Sequence, residues 1–323
     1  MAVARIAYPS LTSAKAGRLA DFYSHALGFE RVRIESHNDQ NFSNLMGLKR
    51  TAAQALALRL GNQTLELLEF ADPGSRYPSE RCSNDTFFQH LAIVVADMQS
   101  AYSQLAAAGD WSPITQPGPQ ELPQSSGGVR AFKFRDPEGH PLELLQFQSG
   151  AEPGAWRRPP QHNTFLGIDH SAIVVVDTQT SLDFYIGLLG FRVSYRSLNR
   201  GPEQQRLDAV SDAVVEVTGL SPASDQPPHL ELLCYRSPPA RAAQPTPPAS
   251  NDVASARLVL ELDNFATTVD SLVMSGARLI SRIGSPRDGG ESALVSDPDG
   301  HALVLRPSNK EERHGPGGTS TQH

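Results

Sequence analysis

Leu19-Ala-Asp-Phe-Tyr-Ser-His-Ala-Leu-Gly-Phe29 returns later in the chain as Ser181-Leu-Asp-Phe-Tyr-Ile-Gly-Leu-Leu-Gly-Phe191. An internal repeat fixes the architecture on which every other motif has to sit, and this one continues downstream. Thr64-Leu-Glu-Leu-Leu-Glu-Phe70 is answered by His229-Leu-Glu-Leu-Leu-Cys-Tyr235, Ser83-Asn-Asp85 by Ser250-Asn-Asp252, and Asp136-Pro-Glu-Gly-His140 by Asp297-Pro-Asp-Gly-His301. One unit is written twice along the 323 residues.

Each half divides again into two stretches of the same pattern: a β-rich segment, a helix ending at glycine, then strands that finish in an apolar run. Four modules result, over residues 4–70, 87–147, 167–235 and 254–307. The opening strands His90-Leu-Ala-Ile-Val-Val95 and His170-Ser-Ala-Ile-Val-Val-Val176 are apolar and β-branched. Helices are predicted over 97–108, 178–189 and 264–275, with Gly109 and Gly276 as stop signals for two of them. Closing strands are predicted over 141–147 and 229–235, and the Asp-Pro-x-Gly-His segments read as tight turns. The fold class is α+β. Residues 1–150 are expected to form a first domain of modules one and two, 151–166 a proline-containing linker, 167–310 a second domain of modules three and four, and 311–323 a disordered tail.

Bulk properties exclude several function classes. The net charge of -7 argues against a nucleic-acid partner, which would require a basic stripe. No apolar run approaches the ~20 residues of a membrane span, and the N-terminus lacks the apolar core and small-residue cleavage site of a signal peptide. The expectation is a cytoplasmic monomer or homodimer whose partner is a small molecule. Cys82 and Cys234 provide neither a disulfide framework nor a Cys-x-x-Cys motif, and are read as buried or half-buried thiols.

Chemistry is suggested by polar residues in places that resist them. Glu66, Glu143 and Glu231 are each flanked by leucines in a closing strand, so alternation sends them to the face opposite the leucines. If that face is the inside of a curved sheet, a carboxylate there is costly unless it meets a cation. His90 and His170 begin opening strands at equivalent positions. Imidazole and carboxylate together are a ligand set for zinc, iron, nickel or manganese.

The repeated module resembles the βαβββ unit of the vicinal-oxygen-chelate superfamily, which includes glyoxalase I, extradiol dioxygenases, methylmalonyl-CoA epimerase and the fosfomycin- and bleomycin-resistance proteins. The carriers are the two His strand starts, the Asp-Phe-Tyr…Leu-Gly-Phe helix ends, the Asp-Pro-x-Gly-His turns and the Leu-Glu-Leu strands, over nearly the whole chain. The resemblance implies four modules forming two cup-shaped sheets, with the first and last strand of each module side by side and each offering one ligand. Aligning the repeats puts Tyr8 where His170 stands, Arg257 where His90 stands and Val304 where Glu143 stands, so modules one and four have lost ligands. Pairing one with two and three with four, as in extradiol dioxygenases, would leave two incomplete sites. Pairing two with three, as in duplicated glyoxalases, gathers His90, Glu143, His170 and Glu231 in one cup and accounts for the pattern of loss.

The resemblance then implies one divalent ion (Fe, Zn, Ni or Mn) on those four residues. Glu143 or Glu231 would move a proton, in a glyoxalase I-like isomerase, lyase or epimerase acting on a small, oxygen-rich, partly apolar substrate. The alternatives are an iron(II) ring-cleaving dioxygenase, to which Tyr195 or Tyr235 could contribute, and a non-catalytic binding or resistance protein, for which buried carboxylates have no use. His140 and His301 read as turn residues. Arg130 and Lys133 fall on opposite faces of their strand, so at most one enters the cup, and Ala92, Ala172, Leu145 and Leu233 are read as its apolar wall.

Overall fold

The computed structural model describes residues 3–157, 163–241, 247–284 and 290–308, so the segment over 311–323 lies outside the described residues. Module one runs β1 (Val3–Thr12), α1 (Ala16–Leu27), β2 (Glu30–His37), a short α2 (Gln40–Leu45), β3 (Ala53–Leu60) and β4 (Gln63–Phe70). Module two has β5 (Phe88–Val95), α3 (Met98–Ala108), the two-residue β6 (Ser112–Pro113) and β7 (Gln120–Glu121), β8 (Arg130–Arg135) and β9 (Pro141–Gln146). Module three has β10 (Phe165–Val174), α4 (Thr178–Leu182), β11 (Arg192–Arg200), α5 (Pro202–Asp208), β12 (Val214–Ser221) and β13 (His229–Ser237). Module four has β14 (Ala256–Leu262), α6 (Phe265–Met274), β15 (Arg278–Ile283), β16 (Ser292–Ser296) and β17 (Ala302–Pro307).

Local chemistry explains the elements. Asp97 and Asp177 cap α3 and α4 by accepting the backbone N–H of Ser100 and Thr180. The helix expected over 178–189 is α4 followed by a π-helical stretch, Asp183–Leu188. The repeated motifs also touch one another. The Tyr23 hydroxyl donates to Asp136 Oδ2 at 3.2 Å and the Tyr185 hydroxyl to Asp297 Oδ2 at 3.0 Å, so the Tyr of each Asp-Phe-Tyr motif docks on the Asp of a turn in the next module.

An eight-stranded sheet has the order β15-β16-β17-β14-β1-β4-β3-β2, and a nine-stranded sheet the order β11-β12-β13-β10-β5-β9-β8-β6, with β7 also on β8. Each sheet therefore crosses the duplication: antiparallel β5–β10 joins module two to three, and antiparallel β1–β14 joins one to four. The helix side does the reverse. Leu19, Phe22 and Tyr23 of module one pack with Leu105, Phe132 and Leu144 of module two, and Leu182 and Phe184 of module three with Val269 and Leu272 of module four. Four modules thus close a ring of alternating sheet and helix interfaces.

Leu142 and Leu144 are fully buried in the first of these cores and Leu230 and Leu232 lie in the second. Each contributes about 1.5–3 kcal/mol by burial, so a slip of one residue that exchanged Leu for Glu is strongly disfavoured. That forces Glu143 and Glu231 onto the concave face. Cys234 is buried, but Cys82 is exposed, because it sits in the connection ahead of β5 rather than on a packed strand. No helix among the described residues is long and apolar enough to cross a membrane.

Candidate metal centre

Strand register brings the polar residues into two adjacent rows. In the nine-stranded sheet Lys133 pairs with Glu143, Glu143 with Ala92, and Ala92 with His170; His90 pairs with Ala172, Ala172 with Glu231, Glu231 with Gly219, and Gly219 with Tyr195. Paired residues on neighbouring strands share a face, so His90, Glu143, His170 and Glu231 converge on the floor of one cup. His90 Nε2 lies 3.1 Å from His170 Nε2 and 2.8 Å from Glu143 Oε2. His170 Nε2 lies 3.4 Å from Glu231 Oε2 and 4.0 Å from Glu143 Oε2. One ligand atom each of His90, His170 and Glu231 fall within 4.8 Å of one another.

The protonation of both imidazoles follows from their neighbours. Lys133 has only donors, and its Nζ donates to Gln89 Oε1 at 3.2 Å. That identifies the Gln89 atom facing His90 Nδ1 as an oxygen, so Nδ1 carries the hydrogen and donates to it. Nε2 of His90 then presents a lone pair to the cup. His170 Nδ1 likewise donates to Asp169 Oδ2 at 2.9 Å, and the Trp156 indole N–H occupies Asp169 Oδ1 at 2.6 Å. Two bare Nε2 lone pairs 3.1 Å apart repel unless a proton or a cation lies between them. Nitrogen and oxygen donors at these separations, each oriented from behind, suit a divalent ion held by bonds of about 2.0–2.2 Å.

Both orienting residues sit at β-bulges. Register slips by one between Ile168 and His170, leaving Asp169 unpaired, and between Ala172 and Ile173, leaving Gln89 unpaired on β5. A bulge turns its extra residue out of simple alternation, which is how each reaches the Nδ1 of the adjacent histidine.

Charge separates the two carboxylates. Burial would raise Glu143, but the charges of His90 and Lys133 overrule it and bring its pKa down to about 2. Burial raises Glu231 to about 7, against the pull of His170. Burial pushes His90 down to about 4. His170 is lifted to about 9 in spite of burial by Glu231, Asp169 and Glu143. Lys133 is buried and stays charged through Asp208, 2.6 Å away, which also accepts from the Tyr235 hydroxyl at 2.7 Å. Gln89 Nε2 donates to that hydroxyl at 3.0 Å, so a continuous network backs His90.

Above the floor is a cavity of about 830 Å³. Leu145 and Leu233 line it as expected, with Leu122, Val129, Phe147 and Val217. Ala92 and Ala172 are fully buried instead, and Lys133, not the half-buried Arg130, enters the cup. Tyr195 reaches across from β11, its hydroxyl donating to Glu231 Oε1. Gly219 makes that reach possible, since a Cβ there would stand 2.2 Å from a Tyr195 ring carbon. Sequence reasoning did not single out Gln89, Asp169, Asp208 or Trp156. The only signal for the first two was their place directly before His90 and His170.

The eight-stranded sheet repeats this register with other residues: Ser10 pairs with Arg257 and Glu66, and Val259 with Val304. Arg257 is buried, donates to Thr12 Oγ1 at 2.8 Å and Ser255 Oγ at 2.9 Å, and is lowered to about 10 by burial. Glu66 accepts from the Ser10 hydroxyl at 2.7 Å. Phe42, Leu45 and Met46, from α2 and its end, fill this second cup against Leu68, Val259 and Val304. His140 and His301 lie outside both cups, donating to the backbone carbonyls of Thr12 and Val174.

No curated protein matches the chain significantly. Among solved structures it is similar to glyoxalase I from Zea mays, with a TM-score of 0.62 and 17% identity over 94% of this chain and 92% of that one. It is also similar to a candidate dioxygenase from Bacillus subtilis subsp. subtilis str. 168, with a TM-score of 0.55 and 12% identity over 94% and 85%. At these identities the likeness is one of fold. A family model described as Glyoxalase/Bleomycin resistance protein/Dioxygenase superfamily matches residues 5–144 and again residues 167–305. The chain belongs to that superfamily, with the family unit present twice.

Proposed function

We propose that the protein is a metal-dependent enzyme that moves a proton next to a carbonyl group, in the manner of a glyoxalase-type isomerase, lyase or epimerase. The observation that carries this reading is the convergence of His90, Glu143, His170 and Glu231 on the floor of one cup, both Nε2 atoms directed inward, while the second cup is filled. Those four residues would hold one divalent ion, which supplies Lewis-acid polarisation of adjacent substrate oxygens. Glu143, beside His90 and Lys133, is held as a fixed anion. Glu231 is the proton carrier: it is the carboxylate that burial makes basic, and pairs of carboxylates with separated pKa values divide such roles. It takes the proton from the carbon beside the carbonyl, leaves the C–H electron pair in an enediolate, and returns the proton to the neighbouring carbon. The Tyr195 hydroxyl, bonded to Oε1, keeps the carboxylate oriented between the two transfers. The apolar wall excludes water and fits a small, partly apolar substrate.

A specific observation favours one second reading. His90, His170 and Glu231 bring one ligand atom each within 4.8 Å of one another, and two His with one carboxylate is the ligand set of oxygen-activating iron(II). One experiment separates the two: α-hydroxyketones and α-ketoaldehydes are incubated in D2O with protein loaded with zinc, nickel, manganese or iron(II), and C–H exchange is followed by NMR. The proposal predicts metal-dependent exchange that falls ~10³-fold in Glu231→Gln. No exchange with any metal, together with oxygen uptake on catechols by the iron-loaded protein, would establish the dioxygenase instead.

A further inference from the structure

The segment between the two halves of the repeat reads in sequence as a spacer, yet it ends against a metal-ligand candidate. Gly154–Trp156 forms a 3-10 turn, and the Trp156 ring is buried against Val94 and Leu166. Its Nε1 donates to Asp169 Oδ1 at 2.6 Å, while Asp169 Oδ2 accepts from His170 Nδ1 at 2.9 Å. The seat for the ring is built into β10: a Cβ on Gly167 would stand 2.7 and 2.8 Å from two Trp156 ring carbons. Trp156, with Ala155 and Gln226, also lines both the 830 Å³ cup and an adjoining cavity of about 510 Å³.

We propose that Trp156 is a positioning residue of the metal centre: its indole N–H fixes the Asp169 carboxylate and so holds His170 with Nε2 presented to the ion. The inference rests on the metal-site reading above. An indole can only donate, so it determines which carboxylate oxygen is left for His170. Asp169 is the residue of a bulge left without a partner on β5. The two imidazoles are therefore oriented by different devices, His90 by a carboxamide within its own sheet network and His170 by a carboxylate clamped from the linker.

Cobalt(II) tests this, because its visible bands report the ligand arrangement independently of turnover. Wild type, Trp156→Phe and Asp169→Asn are titrated with cobalt(II), with affinity from competition dialysis and thermal unfolding of the metal-free proteins measured alongside. Trp156→Phe keeps the ring in its seat and deletes the donor; it is expected to bind cobalt at least about tenfold more weakly, with displaced bands. Trp156 is one of two tryptophans, the other, Trp111, lying in a separate aromatic cluster with Tyr102, Phe132 and Phe134. Metal loading should accordingly change tryptophan emission in wild type and in Trp111→Phe, and leave it unchanged in Trp156→Phe. Wild-type affinity and bands in Trp156→Phe would overturn the inference and leave the metal reading standing. Wild type that takes up no cobalt would sink both. If Trp156→Phe does not fold, Asp169→Asn, which keeps the indole, decides: the same weakening supports the clamp and unchanged binding overturns it.

Discussion

His140 shows how far a single buried charge can matter here away from the cup. Its Nδ1 donates to Asp136 at 2.8 Å and its Nε2 to the carbonyls of Thr12 and Val253 at 2.9 and 3.0 Å, so both ring nitrogens carry hydrogens. Thr12 ends β1 and Val253 precedes β14, which makes the imidazolium a pin between the turn ahead of β9 and the other sheet. Burial would lower its pKa, but the Asp136 charge and hydrogen bond raise it from 6.5 to about 9. A folded-state value above the unfolded one means that the stabilisation is complete below pH 6.5 and is lost as pH rises through 9. The contribution is on the order of 3 kcal/mol. Urea melts between pH 6 and 10 should therefore show a fall in stability that is smaller in His140→Gln, where only the His170 contribution remains. Equal pH slopes in the two proteins would show that the ring is not charged in the fold.

At the scale of elements, the sheet geometry was legible in the sequence and the bulges were not. Alternation placed Glu143 and Glu231 on the face opposite Leu142, Leu144, Leu230 and Leu232, and the family resemblance implied that this face is the inside of a cup. Alternation could not place Gln89 and Asp169, since a bulge arises from one extra residue on one strand of a pair and only the pairing partner reveals it. Trp156 was hidden for a related reason: its role depends on the gap that Gly167 leaves in β10, and nothing in a proline-containing linker signals that gap. Gly219 is the testable case. In Gly219→Ala the new methyl should push the Tyr195 ring off Glu231 while β12 remains intact. Losing a hydrogen bond to a charged group costs about 1.5–3 kcal/mol, so kcat should fall roughly 10- to 100-fold. Tyr195→Phe should lose as much, and the double variant no more than either alone. Full turnover in Gly219→Ala, with its unfolding midpoint unchanged, would remove Tyr195 from the mechanism.

For the whole molecule, duplication explains both what was foreseen and what was lost. The sequence repeat identifies the candidate ligand positions of all four modules, and their pattern of survival favours pairing module two with module three. The structure has that pairing, with β5 beside β10. Sequence could not show how the degenerate cup is kept from being an empty polar hollow. There α2 turns Phe42 and Leu45 inward, and the buried Arg257 occupies the place of a ligand histidine. The arrangement makes one open cup that gathers the candidate ligands and one that is filled by packing, within a ring in which neither half of the chain owns the whole candidate site. The central claim is thus a stoichiometry, and equilibrium dialysis against zinc or cobalt(II) measures it. The account predicts one ion per chain in wild type and in Glu66→Ala, and none in the double variant His90→Ala/His170→Ala. No ion in wild type, an ion retained by the double variant, or an ion lost from Glu66→Ala would contradict it.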